Sequence, residues 1–159
     1  MERDQRDLLR EFNARGVRYL VVGGYAFSHY AEPRATKDLD IFVEDSAENA
    51  DRVFAALAQF GAPLAGMSAE DFRDPDSVFQ VGVPPSRIDI LQTIEAVDFE
   101  TAWVAGESGM IGDDLPVRYI SFDHLITNKL AVGRLRDLAD VEELREARAA
   151  SVRTKEGEE

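Results

Sequence analysis

An α/β or α+β domain, a sheet packed by helices, is the fold class this 159-residue sequence predicts. Three observations lead there. Short β-rich runs alternate with helical periodicity through the first half of the chain. Two helical segments close it, so the helices have a sheet to cover. The length suits one domain with a core of its own, and an apolar content of 45% is ordinary for a globular chain.

The elements follow in order. Residues 3–15 read as an amphipathic helix with Leu8, Leu9 and Phe12 on one stripe and Gly16 as its stop. Arg18 to Val22 is a short strand that ends in Gly23-Gly24, and Tyr25 to Ala31 is a short helix closed by Pro33. Asp38 to Val43 alternates and reads as a strand. Asp45 or Ser46 then caps a helix through Phe60, ended by Gly61. Ser68-Ala69-Glu70-Asp71 has the form of a helix start with a capping acid. Ser77 to Val83 and Arg87 to Gln92 are strand-like runs around Gly82, Pro84 and Pro85, which suggests a hairpin. Phe99 to Val104 reads as a helical turn and Val117 to Ile120 as a short strand. Ser121 opens a helix to about Val132, and after Gly133 a last helix runs from about Leu135 to Ala149. One domain over 1–150 and a polar, frayed tail over 151–159 are expected, with no internal repeat.

The bulk composition excludes several classes. No apolar run is long enough to span a membrane, and the charged start Met1-Glu2-Arg3-Asp4 has no secretory character. Cysteine is absent, so disulfides and thiolate metal sites play no part and a cytoplasmic location is expected. A net charge of −13 argues against an extended nucleic-acid footprint. Scattered acids read as solvated surface. A small basic pocket within that shell has Arg34, Lys37, Arg87, Lys129, Arg134 and Arg136 as candidates.

Chemistry concentrates in Thr36-Lys37-Asp38-Leu39-Asp40-Ile41-Phe42-Val43. Two carboxylates at i and i+2 on an apolar strand share a face. Their like charges repel unless a cation sits between them, and a divalent metal is the usual answer. Asp89, between Ile88 and Ile90, is a third acid on an apolar strand, where it must be at an edge, paired or metal-bound. If the two strands are neighbours, three carboxylates form an oxygen site suited to Mg²⁺ or Mn²⁺. Upstream, a strand ends in Gly23-Gly24 and opens a helix, a place where phosphates sit. A tight strand-to-helix turn needs the same glycines. Alone, an Asp-x-Asp pair commonly marks a turn or a solvated strand edge.

The run Val22-Gly23-Gly24, a spacer over residues 25–37, then Asp38-Leu39-Asp40-Ile41 resembles the nucleotidyltransferase superfamily related to DNA polymerase β, with Asp89 matching its third acid. The fuller form Gly23-Gly24-Tyr25-Ala26…Arg34-Ala35-Thr36-Lys37-Asp38 looks most like its small bacterial branch, which includes AbiEii-type toxin nucleotidyltransferases and stand-alone domains. Residues 128–140, Asn128-Lys129 through Asp140, are similar to that branch as well. The resemblance spans roughly residues 18–144. It implies a mixed β-sheet flanked by helices and an activity: moving a nucleoside monophosphate from an NTP to a hydroxyl, with release of pyrophosphate. Asp38, Asp40 and Asp89 would be catalytic and metal-binding, with Mg²⁺ or Mn²⁺. Gly23 and Gly24 would lie against the phosphates. Arg34 and Thr36 would touch phosphate or hold the Asp38 loop, and Lys129 would reach the triphosphate or remain a solvated charge. Asp137 and Asp140 are expected to bond structurally to Arg134 or the loops. His29 and Trp103 are expected to pack, and Tyr25 could stack on a base. Partners implied are the NTP, an acceptor that is an RNA end, a protein or a small molecule, and a small partner protein in a toxin–antitoxin pair. The competing readings are a nucleotide-binding module without turnover and a metal-dependent phosphohydrolase.

Overall fold

The computed structural model describes residues 1–35 and 38–157. Six strands form one mixed sheet: β1 (Tyr19–Val22), β2 (Leu39–Val43), β3 (Val78–Val81), β4 (Ile88–Leu91), β5 (Glu107–Ile111) and β6 (Leu115–Tyr119), in the order β3-β4-β2-β1-β6-β5. β2 is antiparallel to β1 and parallel to β4, so the centre of the sheet joins both modes. The predicted fold class is the observed one.

The central strands carry the core. All four residues of β1 are buried, and Leu39, Ile41, Phe42 and Val43 fill the same core from β2. Helix α1 (Arg3–Ala14) buries Gln5, Leu8, Leu9 and Phe12, which share one stripe at helical spacing. It packs against α3 (Ala47–Phe60). Ser46 caps α3 by accepting from the Asn49 N–H, and Ser121 caps α5 (Phe122–Val132) by accepting from the His124 N–H. Gly61 and Gly133 end these two helices, as the sequence predicts. Ser68 and Asp71 form a capping box, but the element they open is a five-residue 3₁₀ turn over Ala69–Arg73. β3 and β4 make the predicted hairpin, and the Pro84–Pro85 bond in its loop is cis.

Several elements differ from expectation, among them β6, which begins at Leu115 instead of Val117. α2 (Gly23–Tyr30) begins on the glycine pair itself instead of after it. The turn at Phe99 extends into α4 (Phe99–Ala105), capped by Asp98. Glu107–Ile111, read as no element from sequence, is the edge strand β5 and forms a hairpin with β6. The last helix, α6 (Leu135–Gly157), runs well past Ala149, so the described part of the polar tail is an exposed helical extension. Alanine, arginine, lysine and glutamate are good helix formers, and a helix needs no apolar stripe where nothing covers it. Among the described residues, no helix is long and apolar enough to cross a membrane.

Candidate active site

The sheet brings the second and third acids together. β2 and β4 lie side by side in parallel register, with Asp40 directly opposite Asp89. Asp38 stands one residue before β2. The three carboxylates are not drawn into a ready-made coordination cluster, and among the described residues no such group of acids and histidines occurs. Instead, one nitrogen of Arg87, Nη2, lies 3.2 Å from Asp38 Oδ2 and 3.2 Å from Asp89 Oδ2.

This arrangement is short of positive charge. Burial pushes the Asp40 carboxyl up from 3.8 to about 7, aided by the Asp89 carboxylate, a hydrogen bond with it and the Asp38 charge, while Arg87 pulls the other way. Oδ1 of Asp38 and Oδ1 of Asp89 are both buried without a hydrogen-bond partner. Unsatisfied carboxylate oxygens facing a neighbour of like charge are the donor set that a hard divalent cation takes. The residues therefore fit Mg²⁺ or Mn²⁺.

Gly23 fixes how close the glycine motif comes to these acids. Its φ is +63°, and a Cβ there would overlap Asp40 Oδ2 and lie 3.1 Å from the Asp40 Cβ. The start of α2 thus rests on the carboxylate. No side chain caps α2, so the N–H groups of its first turn keep their capacity for an anion. Gly23→Ala combines a strained φ with a clash against Asp40. The expected result is a loss of about 1–3 kcal/mol of stability and displacement of the carboxylate, read by thermal melting and by Mn²⁺ titration.

Gly23, Gly24, Asp38 and Asp40 line a cleft of about 410 Å³ together with the cations Arg34, Lys129, Arg134 and Arg136 and the acids Asp137 and Asp140. Most of those cations are committed to α6. Arg34 forks onto both oxygens of Asp140 at 2.8 and 3.0 Å, and its guanidinium lies 3.8 Å over the Phe27 ring. Lys129 Nζ is 2.8 Å from Asp140 Oδ2 and only 7% of the residue is exposed. A solvated lysine, one of the two sequence readings, is therefore excluded. Arg134 holds Asp137 through Nε at 2.7 Å. Asp137 bonds to Arg134 as expected, whereas Asp140 takes Arg34 and, on helix α5, Lys129 as its partners. Arg136 is exposed at the cleft and has no ion-pair partner among the described residues. Thr36 and Lys37 lie outside the described residues. Arg87, read from sequence as part of the basic pocket, stands with the acids instead.

The remaining sequence candidates make contacts within the fold. His29 stacks on Tyr119 with ring centroids 4.0 Å apart and touches Glu107. Trp103 stacks on Phe99. Tyr25 donates to Gln5 Oε1, and the Gln5 amide donates to the Arg87 carbonyl. That last contact was not legible from sequence, because a buried glutamine on an amphipathic helix looks like a polar interruption. A second groove, of about 440 Å³, lies by Tyr19, Trp103 and Met110. It holds no carboxylate, and its arginine, Arg118, donates to the Trp103 carbonyl, so it lacks the chemistry of the first.

No protein-family model matches the chain, and no curated protein matches its sequence. Solved structures do match. A candidate nucleotidyltransferase, TM1012 from Thermotoga maritima, superposes with a TM-score of 0.57 at 14% identity, over 97% of this chain and 91% of that one. The lincosamide antibiotic adenylyltransferase LnuA, in a lincomycin-bound structure, superposes with a TM-score of 0.57 at 15% identity, over 92% of this chain and 98% of that one. The fold is nucleotidyltransferase-like. Its mixed sheet sets Asp40 and Asp89 on adjacent strands, and the uncapped α2 starts beside them. In this fold the cleft with the acids, rather than the groove at Trp103, is the candidate active site.

Proposed function

We infer that the protein is a metal-dependent nucleotidyltransferase that moves a nucleoside monophosphate from an NTP to a hydroxyl and releases pyrophosphate. The observation that carries this reading is a cleft lined by Asp38, Asp40, the uncapped start of α2 and the cations Arg34, Lys129, Arg134 and Arg136, with Asp89 opposite Asp40 on the neighbouring strand. Asp38, Asp40 and Asp89 would hold Mg²⁺ or Mn²⁺. Bound there, the metal supplies charge neutralisation at the triphosphate and a lowered pKa for the acceptor hydroxyl. The chain's own part is positional. The Gly23-Gly24 backbone cradles phosphate, and Arg136 offers a free guanidinium to it. Asp89 would serve as a ligand of that metal or as the base; as base it takes the proton that the acceptor oxygen loses as it bonds to the α-phosphorus and the bond from that phosphorus to the pyrophosphate oxygen breaks.

The acceptor is an RNA 3′ end, a protein side chain or a small molecule. The net charge of −13 disfavours a large RNA unless a partner supplies basic surface. Fold likeness to an antibiotic adenylyltransferase supports the small-molecule class. The finer placement, in the AbiEii toxin-like or stand-alone branch of cytoplasmic enzymes, rests on the sequence motifs. The competing reading, a nucleotide-binding module, predicts NTP binding without transfer.

The test is label transfer from each α-³²P NTP, with Mg²⁺ or Mn²⁺, into a cell extract split into RNA, protein and small-molecule fractions. Label that appears with wild type and vanishes with Asp40→Asn supports the transferase and identifies nucleotide and acceptor class. Undiminished label with Asp40→Asn would sink the mechanism. Release of phosphate without acceptor labelling would point to a hydrolase.

A further inference from the structure

Arg34, which lines the cleft, and Arg87, which stands beside the acids, meet carboxylates in opposite ways. Arg34 spends both terminal nitrogens on both oxygens of Asp140, the planar fork that makes such pairs strong. Arg87 does not. A single nitrogen serves Asp38 and Asp89 together, each at 3.2 Å. Its Nε is buried without a partner, and so is the Oδ1 of each of those aspartates. The contact therefore satisfies charge more than it satisfies hydrogen bonds. It also lies where the two carboxylates would share a cation.

The backbone under this side chain is pinned. The fully buried Gln5 donates from Nε2 to the Arg87 carbonyl at 3.0 Å, and the Leu39 N–H donates to the same carbonyl at 3.0 Å. Movement of the guanidinium is therefore movement of the side chain alone, through bonds whose rotamers interconvert quickly.

We propose that Arg87 is a built-in stand-in cation: it bridges Asp38 and Asp89 while the site has no metal and must leave them for a divalent ion to bind. This rests on the metal-dependent reading above and adds a consequence to it. With Arg87 in place, the trio neither repels itself open nor captures metal indiscriminately, because an incoming ion must displace a resident charge. An ion that arrives with a nucleotide triphosphate brings phosphate contacts as compensation, and the freed guanidinium gains an anion to meet. Metal and nucleotide then bind with positive coupling, and Arg87 is the source of that coupling.

The experiment measures Mn²⁺ binding to the full chain by the loss of the free-ion electron spin resonance signal at pH 8, alone and with a non-hydrolysable ATP analogue. Arg87→Gln is expected to bind Mn²⁺ alone roughly tenfold tighter than wild type. Its further gain on adding the analogue should shrink by a similar factor. Without metal it should melt below wild type, and Mn²⁺ should restore more of that loss than it adds to wild type. Arg87→Lys keeps the charge but not the width of the guanidinium, and should fall between the two. It also serves if Arg87→Gln does not fold. Equal or weaker Mn²⁺ affinity in folded Arg87→Gln, with binding still abolished by Asp89→Asn, overturns the stand-in role and leaves the metal site standing. Absence of Mn²⁺ binding in wild type and variants, even with the analogue, overturns both.

Discussion

Asp40→Asn should abolish nucleotidyl transfer and, at the same time, make the metal-free protein more stable above pH 7. The two effects share one cause. In the folded chain the Asp40 carboxyl titrates at about 7, because burial and the Asp89 and Asp38 charges disfavour its ionised form. In the unfolded chain it titrates near 3.8. Between those values the native state binds a proton that the unfolded state does not, so stability falls as pH rises through that window. Below about pH 4 the group contributes no penalty, and above about 7 the whole penalty is present. A tenfold change in a proton-binding constant is worth about 1.4 kcal/mol. Arg87's pull is already contained in the Asp40 value of about 7, and solvent that reaches the cleft screens the charge further, leaving on the order of 1–2 kcal/mol. Asparagine never ionises, so the variant escapes it. At pH 8 its melting temperature should exceed wild type by roughly 3–6 °C, and near pH 4 the two should converge. Added Mn²⁺ should raise wild type and leave the variant unmoved. Transfer should fall by about a thousandfold or more, since a charge that holds the reacting groups is gone. Parallel melting curves across pH 4–8, with and without Mn²⁺, check all of this. A wild type that is the more stable of the pair at pH 8 without metal would show that ionised Asp40 carries no penalty. The variant illustrates a general tension, in which a site built to receive a cation is a source of instability until the cation comes.

What the sequence disclosed and what it hid follow from the range of the interactions. β2 was legible because Leu39, Ile41 and Val43 alternate with Asp40 and Phe42, and a period of two is a local property. The caps at Ser46 and Ser121 are local too. β5 was not, because Glu107-Ser108-Gly109-Met110-Ile111 has no clear alternation. It is an edge strand defined by its pairing with β6, and its Gly109 lies against the Tyr119 ring. The acidic trio was legible as a pattern, and its closing step, Asp40 opposite Asp89, needed only that two strands be neighbours. Arg87 could have been placed as well. It stands two residues before Asp89, and residues two apart along an extended chain share a face. The fate of Lys129 was beyond reach, since its partner Asp140 belongs to the next helix and the pairing depends on how α5 and α6 cross.

That crossing sets the second large effect: Asp140→Ala should cost more stability than removing either of its partners. The carboxylate is 5% exposed and accepts from Arg34 at two positions and from Lys129 at one. Burial alone would push its carboxyl up, and the Arg34 and Lys129 contacts more than reverse this, so it is held below the usual carboxylate range. Truncation leaves the Lys129 ammonium buried, with Asp137 at 4.0 Å as its remaining acid and that acid already engaged by Arg134. A buried charge left without its partner costs about 3–5 kcal/mol, or on the order of 10 °C in melting temperature for a chain of this size. Lys129→Met removes the ammonium, which lies 5.9 Å from the Phe27 ring centroid, but keeps an unbranched apolar stem, and Asp140 retains its Arg34 fork, so its cost should be nearer about 1 kcal/mol. The double variant should be less damaged than the sum of the singles, because once the ammonium is gone the missing carboxylate strands only the half-exposed Arg34 and no buried charge. Thermal melting of the four proteins decides this, and strict additivity would overturn the ion-pair argument. The same set separates anchoring from phosphate contact at Lys129. An anchor moves the melting temperature and leaves the KM for NTP within a few fold, whereas a lysine that meets the triphosphate raises that KM even in a variant whose fold is intact.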